Sequence, residues 1–147
     1  MNPVDILIKY WGHTSFRLKQ EEIINSVIAK KDTLALLPTG GGKSICYQVP
    51  ALLNEGICIV ISPLIALMND QVRFLKSKGI KSVAITSNMH FTEIDTALTN
   101  CIYGGIKFLY LSPEKLQNEL VQTRIKEMNV NLITVDEAHY ISEWGHN

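Results

Sequence analysis

Thr33-Leu34-Ala35-Leu36-Leu37-Pro38-Thr39-Gly40-Gly41-Gly42-Lys43-Ser44 joins a strand-like run to a glycine turn and the start of a helix. The apolar residues Leu34 to Leu37 read as a buried strand, and Pro38, which has no N–H for a sheet ladder, ends it. Gly40, Gly41 and Gly42 lack a Cβ, so the backbone can curl until successive N–H groups face an anion. Lys43 and Ser44 then open a helix, whose N-terminus adds unpaired N–H groups and the positive end of the helix dipole. The result is a phosphate cradle. Lys43 can reach the β- and γ-phosphates of a nucleotide as a point charge, and the Ser44 hydroxyl can hold a magnesium ion.

The spacing departs from the full G-x-x-x-x-G-K-[ST] pattern at Leu37, where the first glycine would stand. On this stretch alone, a glycine-rich turn before a helix remains the alternative. A second half-site weighs against it. Asn131 to Val135 is another strand-like run, and it ends in Asp136-Glu137-Ala138-His139. A carboxylate at the tip of a buried strand can hold the other side of a magnesium shell, and a neighbouring carboxylate can orient or deprotonate water.

With 147 residues, 46% of them hydrophobic, the chain is one domain with enough apolar side chains for a real core. Lys plus Arg and Asp plus Glu number 14 each, so net charge gives no case for nucleic acid and any basic footprint must be local. Cys46, Cys58 and Cys101 are odd in number and form no C-x-x-C pair, which suits buried thiols in a reduced protein better than a disulfide framework or a zinc site. The first residues carry no signal-peptide pattern, and no apolar run approaches membrane-spanning length. The expectation is a soluble cytoplasmic protein without a membrane partner.

No repeat or linker divides the chain. Two helices are expected before the cradle, one from Asp5 to Trp11 capped by Gly12 and one from Phe16 to Lys30 with Ile23, Ile24, Val27 and Ile28 on one face. Beyond it, helix Lys43–Leu53, strand Gly56–Ile61, helix Leu64–Lys78, strand Ser82–Thr86, helix Thr92–Tyr103, strand Lys107–Leu111, a helix from about Pro113 to Glu127 and strand Asn131–Val135 alternate strictly. Such alternation predicts right-handed βαβ units, hence a parallel sheet with helices on both faces and ligands at the carboxyl ends of the strands. The phosphate loop, Ser62-Pro63, Thr86-Ser87, Ser112-Pro113 and Asp136-Glu137 all fall at those ends.

These residues carry a family resemblance. Tyr10 to Gln20, Pro38 to Ser44 with Cys46-Tyr47-Gln48 trailing, Ser62 to Gln71, Tyr110 to Lys115 and Asp136 to His146 resemble, in order, the motifs of the RecQ family of superfamily 2 DNA helicases. The resemblance implies an α/β fold of the RecA-like P-loop NTPase type, a parallel β-sheet with helices on both faces, preceded by two short N-terminal helices. It implies residues 1–147 as the first RecA-like ATP-binding domain, incomplete at its C-terminus, with residues 1–31 holding the adenine-recognition helices. The implied activity is ATP-dependent 3′ to 5′ DNA unwinding in recombination and repair, with ATP and Mg2+ as cofactors. The implied partners are single-stranded and duplex DNA and a second RecA-like domain. A 147-residue piece without that second domain is expected to be inactive, since related enzymes owe ~10³ to 10⁵ in rate to an arginine reaching into a closed site. The Ser142-Glu143-Trp144-Gly145-His146 segment is not expected in an RNA helicase of the same superfamily, which is one alternative; a nucleotide-binding module without motor activity is another.

Residue by residue, Lys43, Asp136, Glu137 and His139 are the expected catalytic set, with Ser44 and Asp136 holding the metal. Gln20 can pair in two-point fashion with adenine N6 and N7, and Arg17 and His13 can stack on the ring, although His13 and Leu18 depart from the aromatic and proline common in the family. Solvated first-turn residues are the alternative for Arg17 and Gln20. Pro38, Thr39, Gly40, Gly41 and Gly42 complete the nucleotide contacts. Ser62, Pro63, Ser112 and Pro113 place hydroxyls and helix N-termini where a DNA backbone can lie, and helix capping is compatible with that role. Gln71 and Arg73 read as surface residues. By resemblance, Trp144 and His146 belong to a loop that senses single-stranded DNA by stacking.

Overall fold

Local chemistry sets the first helix. Asn2 and Asp5 exchange side chain to backbone hydrogen bonds of 3.0 and 3.1 Å in a capping box, with Pro3 in the first helical position. Helix α1 therefore spans Pro3–Trp11, two residues earlier than the apolar spacing alone suggested, and Gly12 caps it at φ 75°. A computed structural model describes residues 2–16, 20–29, 34–36 and 43–135. Within it the remaining elements are α2 (Gln20–Ala29), β1 (Leu34–Leu36), α3 (Lys43–Leu53), β2 (Ile57–Ile61), α4 (Ile65–Ser77), β3 (Ser82–Ile85), α5 (Phe91–Tyr103), β4 (Phe108–Leu111), a 3₁₀ turn (Pro113–Gln117), α6 (Glu119–Lys126) and β5 (Val130–Val135). The expected extension of α2 to residues 17–19 and 30 lies outside the described residues, as do the side chains of Ile23 and Val27.

The five strands form one parallel sheet in the order β1-β5-β2-β4-β3. Strand β2 and its neighbour β4 are buried at every position, which is why they read as unbroken apolar runs without alternation. Successive side chains still point to opposite faces. Cys58, Val60, Phe108, Tyr110 and Leu132 face α3 and α4, where they meet Cys46, Tyr47, Met68, Val72 and Leu75. Ile57, Ile59, Ile61, Leu109, Leu111 and Val135 face α5 and α6, where they meet Ile94, Leu98, Cys101 and Val121. A smaller cluster of Ile6, Ile24 and Val49 seats α1 and α2 on the outer side of α3. All three cysteines are free and buried.

Two boundaries differ from expectation. The helix expected from Pro113 to Glu127 is two pieces, because Asn118 turns extended (φ −75°, ψ 128°) and its side chain caps α6 by accepting from the Val121 N–H at 3.2 Å. Helix α4 begins at Ile65, with Leu64 as its cap residue and no side-chain cap. Ser62 caps the loop instead: its Oγ accepts the Leu64 N–H at 3.2 Å.

The β2–β5 ladder carries one irregularity that aligns the strand ends. Ile57 pairs with Val130, but Cys58 pairs with Leu132, so Asn131 is the extra residue of a bulge. Its Nδ2 reaches the carbonyls of Ala51, Asn54 and Gly56 at 3.1, 3.2 and 3.3 Å, tying the bulge to the α3–β2 turn. Lys107 Nζ clamps the same turn through the carbonyls of Asn54 and, at 2.8 Å, Gly56.

Candidate functional site

Because the sheet is parallel, the loops that follow all five strands leave from the same edge. Leu36 of β1 is registered with Val135 of β5, and Val135 with Ile61 of β2. The stretch that leads from β1 to Lys43 and the stretch that opens with Asp136 therefore depart from neighbouring strand ends. Lys43 is the first residue of α3 and the half-buried Ser44 the second, so the helix N-terminus expected at the cradle is present. Pro38, Thr39, Gly40, Gly41 and Gly42 lie outside the described residues, as do Arg17, Asp136, Glu137, His139, Trp144, His146 and the side chain of Lys43.

Gln20 is half-buried at the start of α2, and α2 packs on α3 through Ile24 and Val49. The expected adenine helix thus rides on the helix that opens with Lys43. His13 is exposed in the turn after α1.

Ser62 and Ser112 sit side by side at the ends of β2 and β4, where the Ser62 N–H donates to the Leu111 carbonyl at 2.9 Å. Both are buried, at 1% exposure. The second departs from simple capping: Ser112 precedes the 3₁₀ turn with Pro113 at its first position, but its Oγ has no hydrogen-bond partner. Leu64 and Ile65 lie at the same edge and are exposed. Arg73, exposed as expected, pairs with Asp70.

Gln71 is not the surface residue that its position suggested. Its Oε1 accepts from Gln48 Nε2 at 3.0 Å, and Gln48 Nε2 also lies 3.3 Å from the Tyr110 hydroxyl, which is 2.7 Å from that of Tyr47. Gln48, Tyr47 and Tyr110 are essentially inaccessible, so this polar network is built into the core beneath the strand ends. Gln48 Oε1 is buried without a hydrogen-bond partner. A buried polar atom left without a partner costs ~1–3 kcal/mol, so this amide is expensive for packing alone. The sequence signals were a glutamine within the apolar stretch of α3 and a tyrosine inside Phe-Leu-Tyr-Leu.

Burial sets the titration of the thiols. It pushes Cys101 up to about 12, and raises Cys46 and Cys58 as well. None of the three is a reactive thiolate at neutral pH. Burial lowers the pKa of Lys107, opposed by nearby Cys58 and Glu55.

Against this geometry the known proteins speak directly. The DEAD/DEAH box helicase family model matches residues 17–147. The chain belongs to that family. It is 45% identical over 141 residues to the probable ATP-dependent DNA helicase RecS of Bacillus subtilis (strain 168), covering 96% of this chain and 28% of that protein. It is 44% identical over 144 residues to the ATP-dependent DNA helicase RecQ of Pasteurella multocida (strain Pm70), covering 98% and 23%. The ATP-dependent helicase wrn-1 of Caenorhabditis elegans is 40% identical over 146 residues, covering 98% and 14%. Among solved structures, the DUF1998 helicase MrfA bound to DNA and AMPPNP superposes with a TM-score of 0.69 at 17% identity, over 92% of this chain and 20% of MrfA. The RecQ likeness and the RecA-like α/β fold expected from the motifs are borne out. The chain spans less than a third of the length of each relative named. Among the described residues no helix is long and apolar enough to cross a membrane.

Proposed function

We propose that this chain is the first RecA-like domain of a RecQ-type DNA helicase, the half that binds ATP in a motor moving 3′ to 5′ on DNA in the cytoplasm, serving recombination and repair. The observation that supports it best is the register Leu36–Val135–Ile61, which brings the cradle and the acidic box to adjacent strand ends. In this reading the residues after β1, Pro38 to Gly42, wrap the phosphates, and Lys43 balances charge on the β- and γ-phosphates. Gln20 selects adenine, with Arg17 and His13 against its ring.

A magnesium ion fits the donors on offer, since the half-buried Ser44 hydroxyl and an Asp136 carboxylate are hard oxygen ligands. When bound, it neutralises phosphate charge. Glu137 then takes a proton from the attacking water, and His139 of the same box supports the γ-phosphate side. Charge on the leaving phosphate requires an arginine from a second RecA-like domain, so the isolated 147 residues would hydrolyse little. Ser62-Pro63 and Ser112-Pro113 carry the DNA backbone, and Trp144 and His146 sense a single strand by stacking.

The test is Lys43→Ala in the full-length protein, assayed for ATP-driven strand separation and for thermal melting. Loss of unwinding with unchanged melting is expected. Unwinding that survives the substitution would overturn the assignment, and hydrolysis stimulated more by RNA than by DNA would redirect it to an RNA motor.

A further inference from the structure

Gln48 lies on α3 one helical turn beyond Ser44, and its amide is the meeting point of three elements. Through Nε2 it holds Gln71 of α4 at 3.0 Å and Tyr110 of β4 at 3.3 Å, while its neighbour Tyr47 holds the same Tyr110 hydroxyl at 2.7 Å. Each contact is a short rigid path to a strand end. Tyr110 stands two residues before Ser112-Pro113, α4 starts directly after Ser62-Pro63-Leu64, and α3 itself starts at Lys43. We propose that Gln48 is a positioning residue that couples the nucleotide-side helix to the two loops facing the DNA backbone. This proposal rests on the reading of those loops given under Proposed function.

Two features argue that the amide serves more than packing. Tyr47 and Tyr110 lie in a cluster with Cys46, Val60, Met68 and Val72, so the amide network is set against an otherwise apolar core. Gln48 keeps a buried acceptor, Oε1, without a partner. Tyr47, Tyr110, Gln48 and Gln71 also each carry groups that can donate or accept. When α3 shifts against α4 or β4, such a network exchanges partners, whereas an apolar contact opens a gap. Nucleotide-driven movement of α3 is then passed to α4 and to the end of β4 together. Coupling of this kind is a free energy between two sites and need not appear in the affinity of either site alone.

The experiment compares wild type, Gln48→Leu, Gln71→Leu and the double variant in the full-length protein. Three quantities are read: affinity for a fluorescent ATP analogue, affinity for single-stranded DNA without nucleotide, and the ratio of ATP hydrolysis with saturating DNA to that without. We expect both affinities within about twofold of wild type, the stimulation ratio reduced at least tenfold in each single variant, and no further loss in the double variant. A ratio within twofold of wild type in either single variant overturns the proposal, and so does a multiplicative loss in the double, which would mean the two residues act separately. Should Gln48→Leu fail to fold, Gln71→Leu reads the same link from its less buried end. A wild-type protein without DNA-stimulated hydrolysis would instead refute the motor reading itself.

Discussion

Replacing Gly56 and Gly79 by alanine, one at a time, tests the alignment of β5 on which the candidate site depends. Both glycines occupy left-handed backbone, at φ 102° and 79°. An alanine in that region costs roughly 1–2 kcal/mol at either position, offset equally by ~0.4–1 kcal/mol from the stiffer unfolded chain. Their surroundings differ. A Cβ at Gly79 meets nothing within 4 Å, whereas one at Gly56 would stand 2.3 Å from the Asn129 carbonyl oxygen. To relieve that overlap the backbone at the start of β5 must retreat by about 1 Å, since ordinary carbon–oxygen contacts begin beyond 3 Å. The same carbonyl accepts the Ile57 N–H at 2.8 Å, so retreat breaks the first link between β2 and β5, worth ~1–3 kcal/mol when a buried donor is stranded. It also disturbs the Gly56 carbonyl held by Lys107 and Asn131. Gly56→Ala should therefore be less stable than Gly79→Ala by ~2 kcal/mol or more, about thirtyfold in the folding equilibrium. Urea unfolding with a shared m-value measures the difference as a shift in midpoint. Equal midpoints for the two variants would refute the claim that the α3–β2 turn is locked against β5.

The acidic box gives a second prediction: Asp136→Asn should weaken magnesium-dependent nucleotide binding, whereas Glu137→Gln should bind ATP and fail to hydrolyse it; equal binding defects in both would show the roles wrongly divided. The buried thiols give a third. Their folded pKa values are raised above the ordinary 9.0, so the stability they contribute is fully present below pH 9 and is lost as pH rises toward about 12 for Cys101. By pH 10 that loss should be about 1.4 kcal/mol for Cys101. Lys107 opposes it, because a lowered folded pKa makes stability rise with pH up to its ordinary 10.5. Unfolding measured from pH 8 to pH 10 should show a shallower alkaline loss in Cys101→Ala and a steeper one in Lys107→Met, and identical slopes in all three proteins would contradict the burial argument.

What was legible in the sequence is what short-range chemistry decides. The Lys43–Leu53 helix, the buried runs of β2 and β4, and the carboxyl-end position of Ser62 and Ser112 follow from apolar periodicity and from the order of elements. The break at Asn118 was missed because a side chain that caps one helix competes with continuing another, and periodicity carries no trace of that choice. Gln71 was misplaced because its partner is 23 residues away on a different helix. Its polar character suggests solvent, whereas Gln48 of α3 donates to it and leaves it half-buried. Strand order was likewise beyond reach, since alternation dictates parallel strands but not that β5 enters between β1 and β2.

That entry, together with one residue, sets which side chains face the site. Without the bulge at Asn131, Cys58 would pair with Asn131 and each later pairing would slip, leaving Val135 beside Ser62. A one-residue slip turns every side chain to the opposite face. Thr134 would then leave Val60 and Tyr110, and the segment that opens with Asp136 would start one residue higher relative to the cradle. The bulge is held by three carbonyls of the α3–β2 region, at the amino end of the strands and far from any expected nucleotide contact. Precision at the carboxyl edge is thus fixed from the opposite edge. Substitutions at Asn131, Lys107 or Gly56 should act on nucleotide chemistry through the alignment of β5, without a contact to the nucleotide.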